Sequence, residues 1–265
     1  GSTIKPFLVI AALAEGIINK QTTFLSTGGI NYERWFFPDW KAGGHGRVDL
    51  FRAIAESVNT FFYIIGGGYG DFKGLGPERM AYYLEKFGLG SKLGIDLPSE
   101  ASGLVPTPEW KAGARNEDWY IGDTYHMAIG QGDVLVTPLQ IAAAMAVIAN
   151  GGTLYQPRLL SGGGLSLNEN VSTPEYFAMA RQAMRQTVTG GSAQRLADLP
   201  YGVAGKTGTA EWKKGASPHA WFTGFAPSDD PQVVVTVLIE EGGEGSRAAV
   251  PVAREILQYF FMKTF

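Results

Sequence analysis

The chain has 265 residues, and its 22 lysines and arginines against 25 aspartates and glutamates leave a formal net charge of -3. Such a surface excludes a chain whose affinity comes from neutralising nucleic-acid phosphates, and zero cysteines exclude thiol catalysis, disulfides and thiolate-bound metals. Apolar residues make up 45% and charged residues only 18%, against the roughly 25% charge usual in soluble domains, so disorder is excluded and a large interior is required.

The first element, Thr3 to about Ile18, is apolar nearly all round, which predicts a helix in the middle of a domain with its end loosened by Gly16. Its apolar run is too short to span a bilayer and contains Glu15. Gln21–Gly46 is aromatic and without period, and reads as a packed excursion. A helical pattern resumes over Val48–Ala55, breaks around Glu56–Asn59 and returns over Thr60–Ile65. Another helix starts at Pro77 and stops at Gly88. Thr137-Pro138 and Thr173-Pro174 open two more, closed by Gly151-Gly152 and Gly190-Gly191, with hydroxyl cap, proline and terminal glycine in the expected order. Strands are expected only late, at Tyr201–Trp212, Ala220–Ala226 and Gln232–Glu240, and a last helix covers Val250–Phe261. There is no internal repeat and no low-complexity tract beyond Ser161–Gly164. A helical block, three antiparallel strands and a closing helix define an α+β, three-layer α/β/α domain: a helical subdomain beside an antiparallel sheet.

Three short motifs can carry chemistry. Ser2-Thr3-Ile4-Lys5 puts a hydroxyl and an amine one helical turn apart, and a serine becomes a nucleophile when a neutral amine takes its proton. Burial and a second cation nearby push a lysine toward that neutral state. Ser57-Val58-Asn59 sits at a break between helical stretches, where a hydroxyl and an amide can be aimed into a cleft. Lys206-Thr207-Gly208-Thr209 lies on a β-rich run whose glycines permit close approach of a ligand. Each alone has an ordinary structural explanation. Together, in this order and on these element types, they resemble the active-site serine penicilloyl transferases.

The resemblance extends through Gly1–Pro6, Trp40-Lys41 with Gly44–Arg47, Gly94–Leu97, Gly130–Gly132 with Thr137–Gln140, and Gly205–Ala210. These look like the transpeptidase domain of the penicillin-binding protein 2 family, the elongation-type class B enzymes, over nearly the whole chain. The resemblance implies a peptidoglycan D,D-transpeptidase, acylated by β-lactams, working on stem peptides that end in D-Ala-D-Ala. It implies Ser2 as nucleophile, Lys5 as its base, Ser57 as proton relay and Lys206 as a cation setting the field around Ser57. Asn59, Thr207, Gly208 and Thr209 then bind substrate, and the backbone N–H groups of Ser2 and Thr209 form the oxyanion hole. It further implies a location on the periplasmic face of the bacterial cytoplasmic membrane, with a SEDS-family glycan polymerase and elongation-complex scaffold proteins as partners. No cofactor and no nucleic acid are expected, and the membrane is reached only through an N-terminal anchor.

Two departures accompany the resemblance. Residues 1–265 correspond to a transpeptidase domain without its N-terminal portion, pedestal region and membrane anchor. Because the opening part normally adds strands to the main sheet, the Gln232–Glu240 strand is expected to be an apolar edge in need of cover. Asp39 and His45 resemble half of a zinc site known in some relatives, but Ser26 and Val58 stand where the other two ligands belong, so the expectation is no metal and a hydrogen-bonded loop. The alternatives from other classes are a serine β-lactamase, for which no Glu-x-x-Leu-Asn base motif follows Ser57, and a β-lactam sensor or binding domain.

Overall fold

The computed structural model describes residues 1–162 and 164–264; Gly163, in the Ser161–Gly164 tract, and Phe265 lie outside the described residues. A 3-10 turn over Ser2–Ile4 runs directly into α1 (Lys5–Ala14), in which every residue from Lys5 to Leu13 is buried. A helix without a polar face exists only where other elements surround it, and α1 is the axis of the molecule. It stops at Ala14, before the expected Ile18, and Gly16 takes a left-handed φ of +65° just beyond.

β1 (Phe24–Ser26), β2 (Gly29–Tyr32), β3 (Trp35–Pro38) and β4 (Gly46–Val48) come next, β2 and β3 as a hairpin and β1 antiparallel to β4. This corrects the expectation that strands occur only late in the chain. Elements of three or four residues have no alternation to read, and Phe24 reaches Val48 across an intervening loop, so pairing rather than period makes them strands.

α2 (Leu50–Ala55) is capped by Asp49, whose carboxylate accepts the Arg52 N–H at 2.8 Å. The break lies where expected, and α3 (Asn59–Gly67) follows it, then α4 (Gly76–Lys86). Two further helices, α5 (Pro108–Arg115) and α6 (Ile121–Ala128), were not expected. α7 (Pro138–Asn150) opens on a reciprocal cap: Gln140 N–H donates to the Thr137 hydroxyl at 3.1 Å, and Thr137 N–H to the Gln140 side chain at 2.9 Å. A short pair, β5 (Leu154–Tyr155) with β6 (Ser166–Asn168), and α8 (Pro174–Thr189) complete the helical block.

The main sheet is an antiparallel meander of β7 (Ala204–Ala210), β8 (His219–Ala226) and β9 (Val233–Ile239), in that spatial order. Side chains alternate between its faces. Ala220, Phe222, Val235 and Val237 join Val250, Ala253 and Leu257 of α9 (Ala249–Thr264) in one core. Trp221, Phe225, Val234 and Leu238 face the other way, into the larger core around α1, α7 and α8. Burying each large side chain contributes on the order of 1.5–3 kcal/mol, which is why a sheet apolar on both faces settles between two helical layers. The result is the expected three-layer domain.

Candidate active site

A cavity of about 1100 Å³ lies where the start of α1, the α2–α3 turn and strand β7 meet, and Ser2, Ser57, Asn59, Thr207, Gly208 and Thr209 all line it. Lys5 and Lys206 lie beneath that lining, both fully buried. All eight residues expected to act are therefore gathered at one place, from three elements far apart in sequence.

Local structure explains the gathering. Ser57 has a left-handed φ of +59°, a conformation that costs a non-glycine residue on the order of 1 kcal/mol or more and recurs at functional turns. It reverses the chain after α2 so that Ser57 and Asn59 both reach the cavity. Lys5 fastens this turn from below: its Nζ donates to the Ser57 carbonyl at 2.8 Å, the Ser57 hydroxyl at 3.3 Å and the Asn59 side-chain oxygen at 2.7 Å. With Oδ1 of Asn59 engaged, its amide NH2 is the group left to donate elsewhere.

Glycine brings β7 against the serine turn. A Cβ on Gly208 would stand 2.9 Å from Cγ2 of Thr3 and 3.1 Å from Cβ of Trp221, so only glycine lets the strand cross the start of α1 this closely. Gly205 is equally confined, 2.5 Å from the Phe222 ring by the same construction.

Burial controls the charges. The Lys5 amine is pushed well below its ordinary value by loss of water and by the Lys206 charge, with Asp39 pulling the other way. Burial alone brings Lys206, whose Nζ donates to the Thr207 carbonyl at 2.9 Å, down to about 7. The resemblance makes Lys206 a cation, and the lost hydration that lowers its value leaves it holding that charge less firmly than a free lysine does.

Three cavity residues were not singled out from the sequence. Ser192 bonds the Thr207 hydroxyl at 2.6 Å, Gln131 donates to the Thr209 carbonyl at 3.3 Å, and Trp40 stands on the rim with its indole N–H on the Glu56 carbonyl at 3.0 Å. Gln131 and Trp40 belong to stretches that carried the family resemblance, whereas Ser192, just beyond the Gly190-Gly191 helix stop, reads as ordinary loop. Of the histidines, His219 accepts the Glu241 N–H at 3.0 Å and stacks on Trp212, while His126 lines the cavity. Among the described residues, no group of three or more His, Asp or Glu side chains is placed to hold a metal ion.

A serine at the head of a central helix buried from Lys5 to Leu13, facing a strand edge across a Ser-x-Asn turn, places the chain in the penicilloyl serine transferase class. Residues 1–258 match the model of the penicillin-binding protein transpeptidase domain, and the chain belongs to that family. It is 35% identical to the peptidoglycan D,D-transpeptidase MrdA of Haemophilus influenzae over 98% of its own length, and spans 44% of that relative. Among solved structures, it is similar to PBP2 of Helicobacter pylori, determined in complex with MreC, with TM-score 0.90 and 31% identity over 100% of this chain and 50% of that one. PBP2 of Pseudomonas aeruginosa gives TM-score 0.86 and 31% identity, over 98% of this chain and 60% of that one.

Proposed function

We propose that these residues form the acyl-transfer unit of a peptidoglycan D,D-transpeptidase, with Ser2 taking the acyl group of a D-Ala-D-Ala stem peptide and a β-lactam able to take the peptide's place. The observation that carries this reading is the convergence of Ser2, Ser57, Asn59, Thr207 and Thr209 on one cavity, with the buried Lys5 amine, its value lowered by lost hydration, directly under the Ser57–Asn59 turn and one helical turn from Ser2.

In its neutral form, which desolvation favours, Lys5 keeps two N–H groups for the Ser57 carbonyl and the Asn59 oxygen and frees the lone pair that accepts the Ser2 proton as the hydroxyl attacks the substrate carbonyl. Ser57, bonded to Lys5, passes that proton to the departing D-Ala nitrogen, the C–N bond breaks, and an ester to Ser2 remains. An acceptor amine then attacks the ester by the reverse proton route and frees Ser2. The N–H groups of Ser2 and Thr209 face the developing oxyanion, where loss of one donor typically costs about 10²–10³ in rate. Thr207, steadied by Ser192, and Thr209 hold the terminal carboxylate, the Asn59 NH2 holds a substrate carbonyl, and the partly charged Lys206 supplies positive potential beneath them.

Incubation with benzylpenicillin tests the assignment. The intact mass rises by one penicilloyl group, and Ser2→Ala abolishes the rise; an adduct that persists in Ser2→Ala defeats it. The adduct is long-lived, and recovery of free protein within seconds points instead to a β-lactamase. Acylation accelerates as pH rises through the lowered Lys5 value.

The whole protein's setting is part of the same proposal. The 265 residues act as the transpeptidase domain of a longer chain that is anchored in the cytoplasmic membrane and faces the periplasm. No described helix is long and apolar enough to cross a membrane. The H. pylori relative solved with MreC supports a scaffold partner of that kind, and a SEDS-family polymerase supplying glycan strands is its functional complement.

A further inference from the structure

Beneath the rim of the cavity, one carboxylate collects an unusual number of donors. Asp39 follows the β2–β3 hairpin directly, and its side chain is fully shielded from water. Oδ1 accepts the N–H of Trp40 at 2.9 Å and of Asn59 at 3.1 Å. Oδ2 accepts the Thr60 N–H at 2.9 Å, the Thr60 hydroxyl at 2.7 Å and the Ser26 hydroxyl at 3.3 Å. The five donors come from β1, the segment after β3 and the first turn of α3.

Three of these contacts bear on the start of α3. α3 begins at Asn59 with no side-chain cap of its own from Val58, so its first N–H groups need an acceptor from elsewhere, and Asp39 is that acceptor. Burial alone would raise the Asp39 pKa, but the Thr60 and Asn59 donors and the Lys5 charge hold it below the usual carboxylate value, so it stays an anion. Behind it, His45 gives Nδ1 to Glu56 at 2.6 Å, and Glu56 in turn binds Arg52. His45 Nε2 lies 3.7 Å from Asp39 without a hydrogen bond.

A zinc ion does not suit this set. A structural zinc site needs four ligands, whereas here only Asp39 and His45 have ligand chemistry, Ser26 donates to the carboxylate, and Val58 is apolar. Every lone-pair direction of Asp39 is also already occupied by a donor.

We propose that Asp39 is a positioning residue for the acylation reaction, a metal-free tie that binds the aromatic hairpin to the first turn of α3 and thereby fixes where Asn59 and Ser57 stand over Lys5. The same anion opposes, at Lys5, the Lys206 charge from β7. His45, Glu56 and Arg52 lie behind it, and Tyr63 of α3, whose hydroxyl donates to the Pro38 carbonyl, faces it from the other side. Removing the anion therefore does two separable things: it loosens the turn, and it lets Lys5 lose its proton at lower pH.

This inference rests on the acyl-transfer reading, and the experiment separates the two. The purified chain, Thr60→Val and Asp39→Asn are compared for zinc content, for melting with and without EDTA, and for the pH profile of benzylpenicillin acylation. The wild-type chain carries far less than one zinc per molecule, and EDTA leaves its melting temperature unchanged. Thr60→Val, which keeps the carboxylate and removes its shortest donor, slows acylation roughly tenfold with the pH midpoint in place. Asp39→Asn slows it at least as much and moves the midpoint down by roughly one pH unit. Stoichiometric zinc whose removal lowers the melting temperature overturns the proposal, as does Thr60→Val acylating within twofold of wild type or a folded Asp39→Asn with an unmoved midpoint. If Asp39→Asn does not fold, Thr60→Val alone decides the positioning role. A wild-type chain that takes no adduct defeats the acyl-transfer reading instead, and metal content and melting still decide whether the tie is metal-free.

Discussion

The two outer strands of the main sheet each have one unpaired side among the described residues, and they are built oppositely. β7 reads Ala-Gly-Lys-Thr-Gly-Thr-Ala, and its free side lies against the Ser2–Ile4 turn and the cavity. β9 reads Val-Val-Val-Thr-Val-Leu-Ile, packed on both faces, with no strand beyond it. Glycine and threonine leave room beside the backbone and offer hydroxyls, so a ligand can approach as a strand does and be recognised polar group by polar group. β-branched residues fill that room and present only a template for another strand. An unpaired edge is thus a binding device or a liability according to its side chains.

The largest effect separating the edges comes from adding bulk to the first. Gly208→Val forces β7 off Thr3 and Trp221, and a displacement near 1 Å at a reacting site costs about 10² in rate. Acylation by benzylpenicillin therefore falls about a hundredfold while the far-ultraviolet spectrum is kept. On β9, Thr236→Val removes only the 2.8 Å hydroxyl contact with Thr223 and leaves acylation within about twofold. Equal losses in the two variants would mean that the sheet responds as one body and that the β7 edge has no special part.

That contrast was legible in the sequence, since the Gly-Lys-Thr-Gly-Thr and Val-rich runs differ on sight. So were the cap at Thr137, the helix start after Thr173 and the break at Glu56–Asn59, because local chemistry writes them, although the Thr173 hydroxyl makes no cap bond. α5 carries an equal start, Thr107 capping the Trp110 N–H ahead of Pro108, and was available by the same rule. α6 was not, because its cap pairs Tyr120 with Asp123, and tyrosine is no standard cap residue. The hidden part of the site is its second layer. Ser192 and Asp39 act through partners 15 to 21 residues away, and nothing in either local sequence names those partners.

A smaller effect concerns what the β7 edge buries. Lys206 has a folded value of about 7 against 10.5 for the free side chain, so between those values the unfolded chain binds more protons than the folded one. Stability therefore rises with pH across that window, by at most about 1.4 kcal/mol per unit from this residue, and is lost again as pH falls toward 7. Lys5 contributes with the same sign in every protein carrying it. Lys206→Met keeps the stem and removes the titration, so the gain in urea midpoint between pH 7 and pH 10 is smaller than in wild type. Identical gains would show that Lys206 is already hydrated or paired in the folded protein.

The smallest effect on chemistry, and the one that tests the other edge, is made at β9. Val233, Val234, Thr236, Leu238 and Ile239 are all partly exposed although the strand is apolar on both faces, which makes this edge a template on which another strand can pair. The 265-residue chain is therefore expected to self-associate through β9 as its concentration rises, and sedimentation velocity reads this as a growing dimer or larger species. Ile239→Lys, at the strand's end, puts a charge where a second copy would pair, a device native edges use against such pairing. It shifts the distribution toward monomer while acylation stays within about twofold, because β8 separates β9 from the cavity. Wild-type protein that remains monomeric at high concentration, with Ile239→Lys indistinguishable from it, would show that packing between α7 and α9 alone protects this edge, and that an apolar strand held on both faces needs no third neighbour.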